Sequence, residues 1–146
     1  MTLYQSRKDV VNEKKVIKCL HAHIGTGFLE LPGVTSAADW AVHENGKLKA
    51  LVEVKNRTNA LNTYSTYMID KDKIDTLYNV SESLQLNGVL AVGFTDCVGF
   101  AFASTVIAES EVGTGGRTDR NDANDIDTVY YFPVEHFKRL DWNTND

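Results

Sequence analysis

Residues 36–57 read SAADWAVHENGKLKALVEVKNR. Two alternating runs flank Asn45-Gly46, which predicts a β-hairpin. In the second run Ala50, Val52 and Val54 alternate with Lys49, Leu51, Glu53, Lys55 and Arg57. Strand side chains alternate faces, so Glu53, Lys55 and Arg57 point one way and the small apolar residues the other. In the first run Trp40 and Val42 share a face, and Asp39, Ala41 and His43 share the opposite one.

The turn decides which of these faces meet. A two-residue Asn45-Gly46 turn with an unbroken ladder pairs Asp39 with Val52 and turns it away from Glu53. A three-residue loop, Glu44-Asn45-Gly46, pairs His43 with Lys47 and sets Gly46 at the left-handed position of a G1 bulge. Asp39 then faces Leu51, one diagonal step from Glu53. Trp40, Val42, Leu48, Ala50, Val52 and Val54 gather on the other side as core. This second register buries the apolar residues and clusters the charged ones, and it is the one expected.

The bland alternative for Glu53-Val54-Lys55 is a half-exposed strand with a solvated charged face. Asp39 on the same side changes that weighing. Two carboxylates this close repel unless a cation lies between them. Hard oxygen ligands suit Mg²⁺ or Mn²⁺. Such an ion lowers the pKa of a bound water and neutralises charge building on a phosphate. Lys55 is placed to hold that water or the phosphate, so hydrolysis of a phosphodiester is the expected chemistry.

An Asp followed on the next strand by Glu-x-Lys resembles the PD-(D/E)xK nuclease superfamily. Asp39 and Glu53-Val54-Lys55 fill those positions, while Ala38 stands in place of the motif's proline. The resemblance implies catalytic Asp39, Glu53 and Lys55. It also implies a metal held by Asp39, Glu53 and the Val54 carbonyl, with a third acid from an N-terminal helix, here Glu13.

The rest of the chain supports that layout. Val10, Glu13, Ile17, Leu20 and Ile24 form one stripe of a helix expected over 7–24, which places Glu13 within an otherwise apolar face. If Glu13 does not serve the metal, it sits at the stripe's edge and reaches water. His21 and His23 do not share a helical face and read as surface or packing residues. Gly25-Thr26-Gly27 ends the helix, 28–31 reads as a short strand, and 58–66 as a polar loop. A second helix is expected over 70–87, with Asp70 as N-cap and Ile74, Leu77, Tyr78, Ser81 and Leu84 facing inward. The apolar run 88–95 (GVLAVGFT) suits a strand buried on both faces, followed through Asp96-Cys97 by a strand over 98–104. Residues 109–127, rich in Gly, Asp and Asn, read as a long flexible loop. Val129–Phe132 reads as a last strand, and 134–140 as a terminal turn or helix.

The expected fold is therefore α+β, an αβββαβ restriction-endonuclease-like core in one domain spanning 1–146. A central mixed sheet is flanked by helices and carries an extra C-terminal strand. Within the superfamily the layout is similar to small archaeal Holliday-junction resolvases and phage nucleases. This implies a DNA partner, and a homodimer is a further expectation. Arg57, Tyr67 and Lys73 are the candidate nucleic-acid contacts. Tyr64 and Tyr67 offer rings for stacking on bases or for packing against the second helix, and packing is the better fit for Tyr67.

Composition bounds these readings. The chain has 146 residues and a formal charge of −5, which argues against a non-specific polyanion binder. Residues 1–108 balance eleven Lys/Arg against eleven Asp/Glu, whereas 109–146 hold four against nine, so the excess lies in the C-terminal part. Cys19 and Cys97 form no zinc pattern and suggest reduced thiols. No apolar run spans a membrane and 1–11 shows no signal-peptide pattern, so a cytoplasmic setting in a bacterial, archaeal or phage-infected cell is expected. An inactive nucleic-acid-binding module with the same fold is the rival functional reading, disfavoured because a binder does not need adjacent carboxylates facing a phosphate.

Overall fold

A computed structural model describes residues 7–21, 27–31, 38–116 and 126–142. Helix α1 (Arg7–His21) precedes three strands, β1 (Gly27–Glu30), β2 (Trp40–Glu44) and β3 (Lys47–Asn56). Strand β4 (Thr66–Asp70) leads into helix α2 (Lys71–Ser83), strands β5 (Asn87–Gly93) and β6 (Val98–Phe102), and helix α3 (Ala103–Glu109). Strands β7 (Glu111–Gly116), β8 (Ile126–Pro133) and β9 (Lys138–Leu140) complete the order. The main sheet runs β1-β2-β3-β5-β6-β9, and β4-β8-β7 form a second sheet. In the main sheet only the β3–β5 pair is parallel, with α2 in the crossover between them. This is the α+β, mixed-sheet architecture expected.

The hydrophobic pattern of β3 explains the layering. Val52 and Val54 join Trp40, Val42, Ala50, Val89 and Ala91 on one face, where Val16, Ile17 and Leu20 of α1 cover them. Leu51 joins Ala41, Leu90 and Val92 on the opposite face, beneath Ile74 and Leu77 of α2. β5 is buried on both faces, as its continuous apolar run requires.

The hairpin reaches its register by a different route from the one expected. Asn45 (φ 53) and Gly46 (φ 85) both lie in the left-handed region, as a two-residue type I′ turn requires. Glu44 therefore pairs with Lys47 and His43 with Leu48, not with Lys47. The ladder then shifts, so that Val42 pairs with Ala50 and Lys49 becomes the extra residue of a β-bulge. The bulge returns the hairpin to the parity that a three-residue loop would have produced. It also removes Leu48 from the expected core, because Leu48 is now opposite His43 and is 42% exposed.

Four other segments differ from expectation. The polar 58–66 segment ends in β4, an edge strand of the second sheet. α2 stops at Ser83, and Gln85 takes a positive φ of 59, so Leu84 turns out to solvent at 55% exposure instead of facing inward. The strand expected to reach residue 104 ends at Phe102, where α3 begins. The loop expected over 109–127 instead contains β7, each of whose residues pairs with β8 despite three glycines; its arginines, Arg117 and Arg120, lie outside the described residues. The extra C-terminal strand is thus a three-stranded sheet plus β9 at the edge of the main sheet.

Gly46→Ala is expected to cost about 1 kcal/mol, because an L residue at φ 85 is strained although no atom lies within 4 Å of the added Cβ. Urea unfolding of the two proteins measures this; an unchanged midpoint is incompatible with the type I′ turn.

Candidate active site on the hairpin

Asp39 stands one residue before β2, where the β2–β3 ladder would otherwise end. Its N–H donates to the Val52 carbonyl (3.0 Å) and its carbonyl accepts from the Leu31 N–H (3.0 Å). Its carboxylate Oδ2 then accepts the Val54 N–H (3.0 Å), standing in for the backbone acceptor that β2 no longer supplies. The side chain is thereby fixed over β3. The ladder ends at the Trp40–Val52 pair, and Asp39, just beyond it, comes within side-chain hydrogen-bond reach of Glu53 on the same side of the sheet, as expected.

Glu53 is 2% exposed, one of two polar side chains in the buried set. It lies on the face that α2 covers, two residues from Leu51. Burial, and next the neighbouring Asp39 charge, push its carboxyl up to about 7 against the pull of Lys55 and Lys73. A side-chain hydrogen bond with Asp39 adds to the rise. Lys55 Nζ lies 3.5 Å from Glu53 Oε2 and Lys73 Nζ lies 3.9 Å from the same oxygen. Both lysines are about a third exposed, so their ammonium groups reach solvent from beside a buried acid. Lys73, expected as a nucleic-acid contact, is therefore brought beside Glu53 by the first turn of α2. Lys71 serves another purpose. It pairs with Asp75 (2.5 Å), which also accepts the Tyr130 hydroxyl (2.5 Å), tying α2 to β8.

Not all candidate residues converge. Glu13 accepts the Trp40 indole N–H (3.2 Å), and Trp40 belongs to the core face beneath α1, opposite the face of Leu51 and Glu53. No group of three or more acids, histidines or cysteines is gathered at metal-holding distance among the described residues, so Glu13 does not join Asp39 and Glu53 as a third acid. The physical reason is the partner: an indole N–H in the α1 interface needs an acceptor, and Glu13 provides it. Tyr67 is also not a free stacking platform. It is 5% exposed, packs edge-on against Phe94 and Phe137, and carries the Arg57 guanidinium 4.7 Å above its ring. Arg57 is exposed at the end of β3 and remains available to a ligand. Val54 directs its side chain into the α1 core, so only its backbone faces the site.

The donor set fits a hard divalent cation. Two neighbouring carboxylates, one pushed toward neutrality by burial and then by its neighbour's charge, are stabilised as a pair by a cation. Mg²⁺ is commonly held by one or two carboxylates while keeping several waters, so a third acid is not required.

One feature of the site has no sequence signal. Residues 57–68, β8 and the Val134 turn enclose a cavity of about 350 Å³ next to Arg57. The wall is anchored by Asp96, which accepts the Leu61 N–H (3.0 Å); that bond holds the Asp96 carboxyl below its usual range. No periodicity connects Asn59 or Tyr64 to Tyr131, so the cavity was invisible before folding.

Solved structures share this fold. Hjc, a Holliday junction resolvase from the archaeal hyperthermophile Archaeoglobus fulgidus, superposes with a TM-score of 0.55 at 12% identity, covering 89% of this chain and 91% of that one. A nuclease from a fusselovirus gives 0.53 at 12% identity, covering 95% and 88%. The fold is thus the PD-(D/E)xK nuclease fold. Among curated proteins none matches the sequence. The family model "Phage putative PDDEXK endonuclease" matches residues 2–140, and the chain belongs to that family of nucleases.

Replacing Glu53 by Gln should stabilise the protein in EDTA. Its carboxyl is pushed up from the ordinary 4.5 to about 7 in the folded protein, so the ionised acid is a cost that is full above pH 7 and disappears as pH falls toward 4.5. The expected gain at pH 8 is on the order of 2 kcal/mol, shrinking to nothing near pH 4.5. Thermal melts at both pH values test this; a gain that is the same at both removes the buried-acid explanation.

Proposed function

We propose that this protein is a Mg²⁺- or Mn²⁺-dependent endodeoxyribonuclease that processes phage or recombination intermediates, in the manner of a junction resolvase. The observation that carries the reading is Asp39 facing a buried Glu53 whose one oxygen is approached by both Lys55 and Lys73. Asp39, Glu53 and the Val54 carbonyl would hold the ion. When bound, the ion supplies charge neutralisation at the phosphate and an acidified water.

The chain's own residues do the rest. Val54 N–H holds Asp39 in one orientation, so its second oxygen stays turned to the site. Burial excludes bulk water from Glu53, which strengthens every electrostatic contact there. Lys55, on the same face as Glu53, orients the attacking water or the phosphate. Lys73, from α2, offers a second cation to the phosphate oxygens. Arg57 extends the basic face beyond β3 and contacts the DNA backbone, which offsets the net negative charge locally.

The setting is the cytoplasm of the infected host cell, and no helix among the described residues is long and apolar enough to cross a membrane. A homodimer would present two such sites to a branched substrate; mass in solution reads it directly.

Incubation with junction, flap, duplex and single-stranded DNA and with RNA, each with Mg²⁺, tests the activity. Cleavage of a DNA substrate that EDTA abolishes is the expected result. Metal-independent cleavage, or none on any substrate, overturns the proposal. Lys55→Ala should lower the rate by roughly 10²-fold or more while keeping the fold and the thermal stabilisation by Mg²⁺. Asp39→Asn should lose both the activity and that stabilisation, because it removes a ligand charge. A Lys55→Ala protein that cuts at the parental rate would refute the role given to the lysine.

A further inference from the structure

Outside the carboxylate site, the described residues line a cavity whose chemistry is distinctive. Its walls include Arg57, Asn59, Tyr64, Tyr67, Phe94 and Tyr131. Arg57 is the only charged residue lining it among the described residues. Rings dominate the remainder. Tyr64 stands 65% exposed and Met68, on the same wall, 44%. Large apolar groups left in water at the mouth of a concave site mark a ligand surface. Tyr67 lines the cavity too, and its hydroxyl is buried with no hydrogen-bond partner among the described residues.

The cavity is already formed without a ligand. Arg57 N–H donates to the Gly93 carbonyl (2.9 Å), Thr95 N–H to the Asn59 carbonyl (3.0 Å), and Val134 N–H to the Ser65 carbonyl (3.0 Å). Its wall is therefore tied to the ends of β3 and β5, the strands around Glu53. Four residues separate Glu53 from Arg57, about 13 Å at about 3.3 Å each. That is a few nucleotides of DNA at about 3.4 Å rise per step.

We infer that this cavity is a subsite for one unpaired nucleobase, so that the favoured substrate carries a single-stranded segment beside the cut. The inference rests on the nuclease reading above. A volume of about 350 Å³ lies at the small end of ligand pockets, roughly 300–1,000 Å³, and suits one base in place of a base pair. Every base has a π-face, so the exposed Tyr64 ring holds it without sequence preference. Its ring nitrogens and exocyclic groups offer partners to Asn59 at the cavity wall, while Arg57 meets the adjoining phosphate. A paired base would first have to leave its stack, which favours DNA that is already unpaired.

The test is binding in EDTA, where no cleavage intervenes. One duplex carries a short single-stranded overhang with 2-aminopurine at the first unpaired position. A second carries an abasic site there, and a third is blunt. The parent protein should quench the 2-aminopurine fluorescence and bind that overhang roughly tenfold more tightly than the abasic one. Tyr64→Ala should reduce the base-bearing overhang to the affinity of the abasic one. Thr66→Phe, which fills the cavity from an exposed position, should do the same, and circular dichroism verifies both folds. Equal affinity for the base-bearing and abasic overhangs, or a preference that survives both substitutions, overturns the subsite. The two readings fail separately. DNA cleavage without base preference leaves the nuclease standing and removes the subsite. Base preference without cleavage of any substrate does the reverse.

Discussion

Three hydrogen bonds at Asp39 hold the site and the sheet in the same register. Its N–H and carbonyl belong to the ladders with β3 and β1, and its carboxylate takes the Val54 amide that β2 no longer reaches. A carboxylate used as a ladder acceptor has little freedom to rotate, which is what a group positioned for chemistry needs. Removing it would orphan a strand amide, so the residue proposed as a metal ligand also holds the sheet together.

The neighbouring glutamate is held at a cost. Glu53 sits under α2 where a leucine would pack, and both its burial and Asp39 oppose its charge. Two lysines from different elements, Lys55 on β3 and Lys73 on α2, partly compensate. Such strain between local stability and a polar cluster is characteristic of active sites, where pKa values are displaced by design of the surroundings. The large apolar body of the sheet, with Val52, Val89, Leu90 and Val92 fully buried, supplies the stability that tolerates it.

The second sheet gives this nuclease fold its own surface. β4, β8 and β7 pack with α2 and α3 on the Glu53 side, and Tyr130 is clamped to Asp75 of α2. That arrangement brings Tyr131 and Val134 opposite the 57–68 segment, creating a concave wall where the main sheet alone would leave an open edge. The acidic, glycine-rich stretch that looked like a loop thus begins as the outer strand of this second sheet.

Local chemistry determined much of this from sequence. Period-2 alternation in β3 separated Glu53, Lys55 and Arg57 from Val52 and Val54. Asn-Gly marked the hairpin, and an apolar run marked β5 as central, because strand faces and turn torsions are properties of a few adjacent residues. The facing of Asp39 and Glu53 was legible for a partly wrong reason: a type I′ turn plus a bulge at Lys49 reaches the parity that a three-residue loop would reach. Tertiary structure alone decided the rest. Glu13 turned to the Trp40 indole, Tyr67 was buried against Phe94 and Phe137, and Lys73 swung to Glu53. Strand β7 formed from glycines because β8 offered it a ladder. Each of these depends on a partner far away in the chain, and side-chain periodicity carries no information about which distant group will supply the missing acceptor, ring or charge.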